Sequence, residues 1–192
     1  FPSRISDSAE ISPGSFVAPR NVVIGDGTIV MPGTVIAERS IIGAHCRIGP
    51  STIIGCEGFE VDTGRRPQAL IAPGGGVRLH DHVVIIGNCT IAKATFGGFT
   101  TLAGEVILDC HGYIAHDCII GKRSRIAASA NIMGRVSVGE EVYIGPNATI
   151  SNGLTIGDGA TVTLDSVVVR DVPAGERVTG HFAIEHRKWL RF

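Results

Sequence analysis

Phe96, Leu102, Leu108, Ile114, Ile120, Ile126, Ile132, Val138, Ile144, Ile150, Ile156, Val162 and Val168 follow one another at six-residue intervals without a slip. A period of six is neither the 3.6 of a helix nor the 2 of a lone strand. It marks a solenoid whose coil contains a whole number of six-residue units. Outward from this stretch the same beat runs through Ile5, Ile11 and Val17, through Ile24, Val30, Ile36, Ile42, Ile48 and Ile54, and through Leu79, Ile85 and Ile91. Four places after the aliphatic residue the chain usually turns small or β-branched, as at Thr28, Thr34, Ser40, Cys46, Thr52, Cys89, Ala130, Ala148 and Ala160. A large aliphatic and a small residue, both pointing inward, are what a narrow parallel β-helix can hold. Glycine often follows the aliphatic residue directly (Gly25, Gly43, Gly49, Gly121, Gly139, Gly145, Gly157), which suits tight corners with unusual φ.

If three units complete one turn of a triangular prism, the chain folds into about eight coils, stacked into a rod on the order of 40 Å long at the strand spacing. The expected architecture is all-β: a solenoid over residues 1–172, with a tail at 173–192 that forms a short helix or cap over the last coil. Three breaks interrupt the beat. Those after Val17 and Ile91 are small enough to be absorbed at corners. The third, a loop at 55–78, carries Gly58, Phe59, Arg65, Arg66 and Pro67, then Gly74, Gly75 and Gly76. Long inserted loops in compact domains are usually functional or disordered, and an aromatic with paired arginines beside glycine hinges suits an active-site flap.

Composition narrows the function classes. The chain has 192 residues, enough for one domain with a continuous core, and only 5% are aromatic, which fits a thin stacked interior. A net charge of -1 gives no electrostatic case for nucleic acid. No stretch approaches the roughly 18 consecutive apolar residues of a membrane span. The start, Phe1-Pro2-Ser3-Arg4, is not a signal peptide, and without a methionine it reads as truncated or processed. The five cysteines show no paired metal spacing, and Cys46, Cys89 and Cys118 fall on the small inward position as compact fillers. Free thiols point to a reducing cytoplasm.

In an eighteen-residue coil, residues eighteen apart lie above one another. Lys122 then stacks on Glu140, Arg123 on Glu141 and Asp117 on Arg135, opposite charges that read as structural pairing. His116 differs, because its ladder neighbours are Gly98, Gly134 and then Asn152. An imidazole exposed on the outer wall between glycines would be open to substrate and poised to take a proton near neutral pH. An ordinary surface histidine has the same spacing. His45, His80, His82 and His111 read as corner residues, while the positions of His181 and His186 in the tail cannot be read. Zinc catalysis needs three protein ligands and an open position. His111 and His116 make a tempting pair, but no third histidine falls in line, so no metal site is expected.

The segment from Leu108 to Gly121, with its core Ile114-Ala115-His116-Asp117-Cys118, resembles the catalytic coil of hexapeptide-repeat acyltransferases, which are left-handed β-helices and generally homotrimers. The stretches 75–79 and 86–93, with the Gly58-Phe59 insertion, look like the UDP-acylglucosamine N-acyltransferases of lipid A synthesis. The resemblance spans about Ile5 to Val168. It implies that His116 is the general base, removing a proton from a substrate amine or hydroxyl that attacks an acyl thioester directly. It also implies that Asp109 orients that base and that the Gly134 amide donates to the oxyanion. Asn152 stands near the place of a second histidine in that family, and Phe59, Arg65 and Arg66 are expected to meet substrate or donor. The chain departs from the pattern in lacking a counterpart of the uridine-binding domain ahead of Ile5 and in having a shorter tail. Its end, Val169-Arg170-Asp171-Val172-Pro173 with Val178-Thr179-Gly180, looks instead like smaller nucleotide-amino-sugar acetyltransferases.

The implied activity is acyl transfer from acyl-CoA or acyl carrier protein to the amine of a nucleotide-linked amino sugar, for lipopolysaccharide or surface polysaccharide. The implied enzyme is a bacterial cytoplasmic homotrimer with no permanently bound cofactor. Transfer to a sugar hydroxyl, a gamma-carbonic-anhydrase-like zinc hydratase and a non-catalytic assembly protein are the competing readings.

Overall fold

The computed structural model describes residues 1–180, so the tail histidines and residues 181–192 of the expected cap lie outside the described residues. Three parallel sheets of eight, nine and eight strands form the faces of a prism, and the chain visits them in strict rotation. Eight full coils result, from the coil of Arg4–Ile5, Glu10–Ile11 and Phe16–Val17 to that of Thr155–Ile156, Thr161–Val162 and Val167–Val168. No helix occurs among the described residues. The prism extends past the expected boundary at 172. Val172 bridges to Ile156, and strand Arg177–Val178 pairs with Thr161–Val162, so a ninth coil begins where Pro173 was expected to end the repeat.

Most strands are only two residues long, and the pleat sends the second residue inward. Ile126 is buried while Arg125 beside it is exposed, and Leu108 is buried beside exposed Ile107. A one-residue slip would put Arg125 into the core and Ile126 into water, which is why the register holds so strictly. Each fully buried Ile or Leu contributes about 1.5–3 kcal/mol. The small position is also inward as expected: Thr28, Cys46, Cys89, Ala130 and Ala148 are all buried. Coils stack in register, Ile120 on Leu102 and Val138 on Ile120.

Two expectations change at the corners. The glycine after the aliphatic residue does not carry the unusual φ. That falls two residues later, usually on a non-glycine: Arg123, Ser129, Arg135, Glu141 and Asn147 all lie between +56° and +63°. The glycine is needed because the next coil passes too close for a Cβ. One built on Gly121 would stand 2.2 Å from the Gly139 carbonyl oxygen, and one on Gly49 would stand 1.8 Å from that of Ile86. The left-handed residue is held by its own amide, as where Arg135 N–H donates to His116 O at 2.9 Å.

Phe96 is the second correction. It is exposed, not inward, and Leu79 pairs with Leu102, which leaves extra residues between Thr90–Ala92 and Phe99–Leu102. The gap after Ile91 is therefore a short outward insertion. The longer loop leaves the same edge one coil below, from strand Ile53–Cys56, and returns at Gly76–Leu79. Its outer part is ordered as a hairpin, Val61–Asp62 pairing antiparallel with Ala69–Leu70. Both insertions leave the corner between the third and first faces. His116 occupies that corner in the next coil up.

Candidate active site

His116 follows strand Tyr113–Ile114, and the beat of the core sets its height on the prism. The structure buries it to 7% exposure, against the open wall position read from the ladder. The two insertions cover it. Gly58 of the long loop lies so close that a Cβ there would stand 2.9 Å from the His116 Cβ. Phe96 of the short insertion meets the imidazole edge-on, with ring centroids 6.4 Å apart.

Asp117 takes the left-handed corner position at φ 59°, which turns its carboxylate back toward its neighbour. Oδ2 lies 2.8 Å from His116 Nδ1. The amides of Thr95 and Phe96 donate to the same carboxylate at 3.1 and 3.4 Å, and the Thr100 hydroxyl accepts the Asp117 amide at 2.9 Å. A carboxylate only accepts, so the imidazole proton belongs on Nδ1, leaving the Nε2 lone pair free in the neutral ring. Asp117 does not pair with Arg135 as the ladder suggested; among the described residues its ion-pair partner is His116.

Nε2 faces a cleft of about 180 Å³ lined by Phe59, Glu60, Tyr113, Ala115, Met133, Gly134, Arg135 and Asn152. Gly134 sits directly above: a Cβ there would come within 2.6 Å of Nε2. Its carbonyl accepts the Gly153 amide at 2.9 Å, while its own N–H has no acceptor among the described residues. A glycine at this height keeps the lone pair accessible and leaves one amide unspent. Burial, then the nearby Cys56 and Cys118 thiols, pushes the Tyr113 phenol above its ordinary range, so at neutral pH it stays a hydrogen-bond donor. Glu60, which the sequence reading passed over, brings Oε2 to 3.9 Å from Nε2.

Of the residues expected at the site, His116, Gly134, Phe59 and Asn152 come together. Asp109 does not. It lies on the previous corner, where its Oδ1 accepts the Cys110 amide at 2.7 Å, and Asp117 holds the imidazole in its stead. Arg65 and Arg66 sit on the hairpin outside the cleft, and the Arg66 guanidinium donates to the carbonyls of Thr63 and Arg65, both at 2.8 Å. The glycine run at 74–76 is not a loose hinge. The amides of Gly74, Gly75 and Gly76 donate to the carbonyls of Thr95, Ala94 and Gly98, and Arg39 Nη1 grips the Pro73 and Gly74 carbonyls.

His45, His82 and His111 take left-handed corner positions. Because His111 and His116 occupy different corners, they do not converge on one ion. Among the described residues no group of three His, Cys, Asp or Glu is placed to hold a metal. Charge pairing on the outer wall follows the ladder at Arg123–Glu141, 2.6 Å apart, whereas Lys122 reaches Glu105 rather than Glu140.

Comparison with known proteins adds relatives to this geometry. Residues 21–56 match the family described as bacterial transferase hexapeptide (six repeats). The UDP-3-O-acylglucosamine N-acyltransferase of Maricaulis maris is 40% identical over 149 residues, 78% of this chain and 43% of the relative. That of Syntrophus aciditrophicus is 41% identical over 139 residues, 72% of this chain and 38% of the relative. The chain thus spans less than half the length of these relatives. Among solved structures, the UDP-N-acetylglucosamine acyltransferase of Campylobacter jejuni superposes with a TM-score of 0.71 over 88% of this chain and 68% of its own, at 23% identity. That of Francisella novicida gives 0.74 over 93% and 65%, also at 23% identity, a likeness of fold. Six-residue beat, rotating parallel sheets and these matches converge: the chain folds as a left-handed parallel β-helix of hexapeptide repeats and is similar in sequence to these transferases.

Proposed function

We propose that this chain is the β-helical part of an acyltransferase that moves an acyl group from acyl-CoA or acyl carrier protein to the amine of a nucleotide-linked amino sugar in lipid A or surface polysaccharide synthesis. The observation that carries this reading is the His116 imidazole, anchored through Nδ1 by Asp117 and presenting Nε2 to a cleft beside the unspent Gly134 amide. The named activity of the 40% identical relative supports it.

The chemistry is direct transfer. Nε2 takes a proton from the acceptor amine as its nitrogen attacks the thioester carbonyl carbon. Charge gathers on the carbonyl oxygen, which the Gly134 N–H meets. The C–S bond breaks, and the leaving thiolate takes the proton back from His116, giving an amide and a free thiol. Asp117 steadies the imidazolium in between without itself becoming protonated, the role of the acid in histidine-based triads. Arg65, which has no side-chain hydrogen bond among the described residues, is the flap cation we assign to a phosphate of acceptor or donor. Acyl-thioester donors put the enzyme in the bacterial cytoplasm, and the half-formed cleft calls for a homotrimer with sites between subunits.

The test is a thioester-release screen of UDP-linked amino sugars against short- and long-chain acyl-CoA and acyl carrier protein. Release that depends on both a donor and an amino sugar is the expected result. A correctly folded protein releasing no thiol with any pair would overturn the reading.

A further inference from the structure

The Nε2 atom of His116 and the Glu60 carboxylate face one another across 3.9 Å. With the ring neutral and its proton on Nδ1, both are acceptors, and the distance is too long for a direct hydrogen bond. Two acceptors converging on one small volume are satisfied by a group carrying at least two polar hydrogens. A primary amine or ammonium has two or three, whereas a hydroxyl has one and must leave one acceptor unmet. The Glu60 side chain is 30% exposed, and among the described residues its ion-pair partner is His116 alone. The other charges facing this point are Asp117, on the far side of the imidazole, and Arg135 on the cleft wall.

We infer that Glu60 is the residue by which this site selects an amine over a hydroxyl acceptor, an inference that rests on the acyl-transfer reading above. Glu60 receives the acceptor as an ammonium ion and holds one of its N–H groups while a second points at Nε2. One proton leaves to solvent along the exposed edge of Glu60, giving the neutral amine. A second passes to Nε2 as the C–N bond forms and goes on to the thiolate, and the third stays on the product amide. The hairpin thus supplies an acceptor-reading group, besides covering the imidazole.

Calorimetric binding of UDP-glucosamine and UDP-glucose, which differ only in the amine and hydroxyl at one carbon, tests this without any acyl donor. Wild-type protein is expected to bind the amino sugar more tightly. Glu60→Gln should weaken UDP-glucosamine by about 10- to 100-fold, the loss of one charged hydrogen bond, while leaving UDP-glucose within about twofold. Glu60→Asp should recover part of the loss. Equal weakening of both ligands, no weakening of either, or a wild type that does not discriminate overturns the inference. The parent reading fails separately: selective binding with no thioester release from any donor would leave Glu60 as an amine reader and remove the transfer.

Discussion

At the scale of single residues, the site turns on Asp117 reaching back to His116, which it can do because its backbone takes the left-handed corner conformation. Every coil has such a position, three residues after the inward aliphatic, and the beat of six was enough to number it. What the sequence could not show was the direction of the side chain. Counting by eighteen put Asp117 against Arg135, and family likeness put Asp109 against His116; the corner geometry overrides both. Asp117→Asn should therefore lower kcat by about 10²–10⁴-fold, the usual worth of a well-oriented base, with little change in KM. Asp109→Asn should stay within about twofold of wild type in the same assay. The inward thiols make a different prediction. Burial pushes Cys118 from the ordinary 9.0 up to about 12, and raises Cys46 and Cys89 as well. The unfolded chain loses these protons first as pH rises, so the stability from neutral buried thiols is complete below about pH 9 and fades between there and about pH 12. The midpoint of urea unfolding should fall steadily above pH 9, and Cys118→Ala should show a shallower fall than wild type. Equal slopes would contradict it.

Elements explain why the site lies where it does. The regular coils were legible almost residue by residue, because a two-residue strand with one inward side chain leaves no freedom in the pattern. The interruptions were legible as interruptions only. Phe96 kept the beat by accident of spacing, yet it faces the imidazole from outside the prism. Glu60 and Gly58 lay inside a loop with no period to fix them, and their contacts with His116 depend on how the hairpin folds back. The glycines at the loop's end read as hinges from composition, but they are close-packing positions. A Cβ on Gly76 would stand 2.0 Å from the Arg39 carbonyl oxygen, so the backbone itself would have to move. Gly76→Ala is expected to cost about 1–3 kcal/mol or more, seen as a fall of several degrees in Tm. An unchanged Tm would mean that this end of the flap is looser than its hydrogen bonds indicate.

For the whole molecule, the cleft beside His116 is about 180 Å³, smaller than the roughly 300 Å³ at the low end of ordinary ligand pockets. One prism supplies the imidazole, the glycine and the hairpin but not a second wall. Static light scattering should return three times the chain mass of 20.1 kDa, and an active monomer would contradict a shared site. The central claim, that this solenoid carries an acyl-transfer centre built on one imidazole, is tested most directly by the turnover of His116→Ala in the thioester-release assay. Asp117 would keep the Thr95 and Phe96 amides as partners, so the fold should persist. The expected result is a fall in kcat of at least about 10²-fold at an essentially unchanged Tm. A folded variant that keeps more than about half the wild-type rate would contradict the account, since a positioned base is worth far more than that.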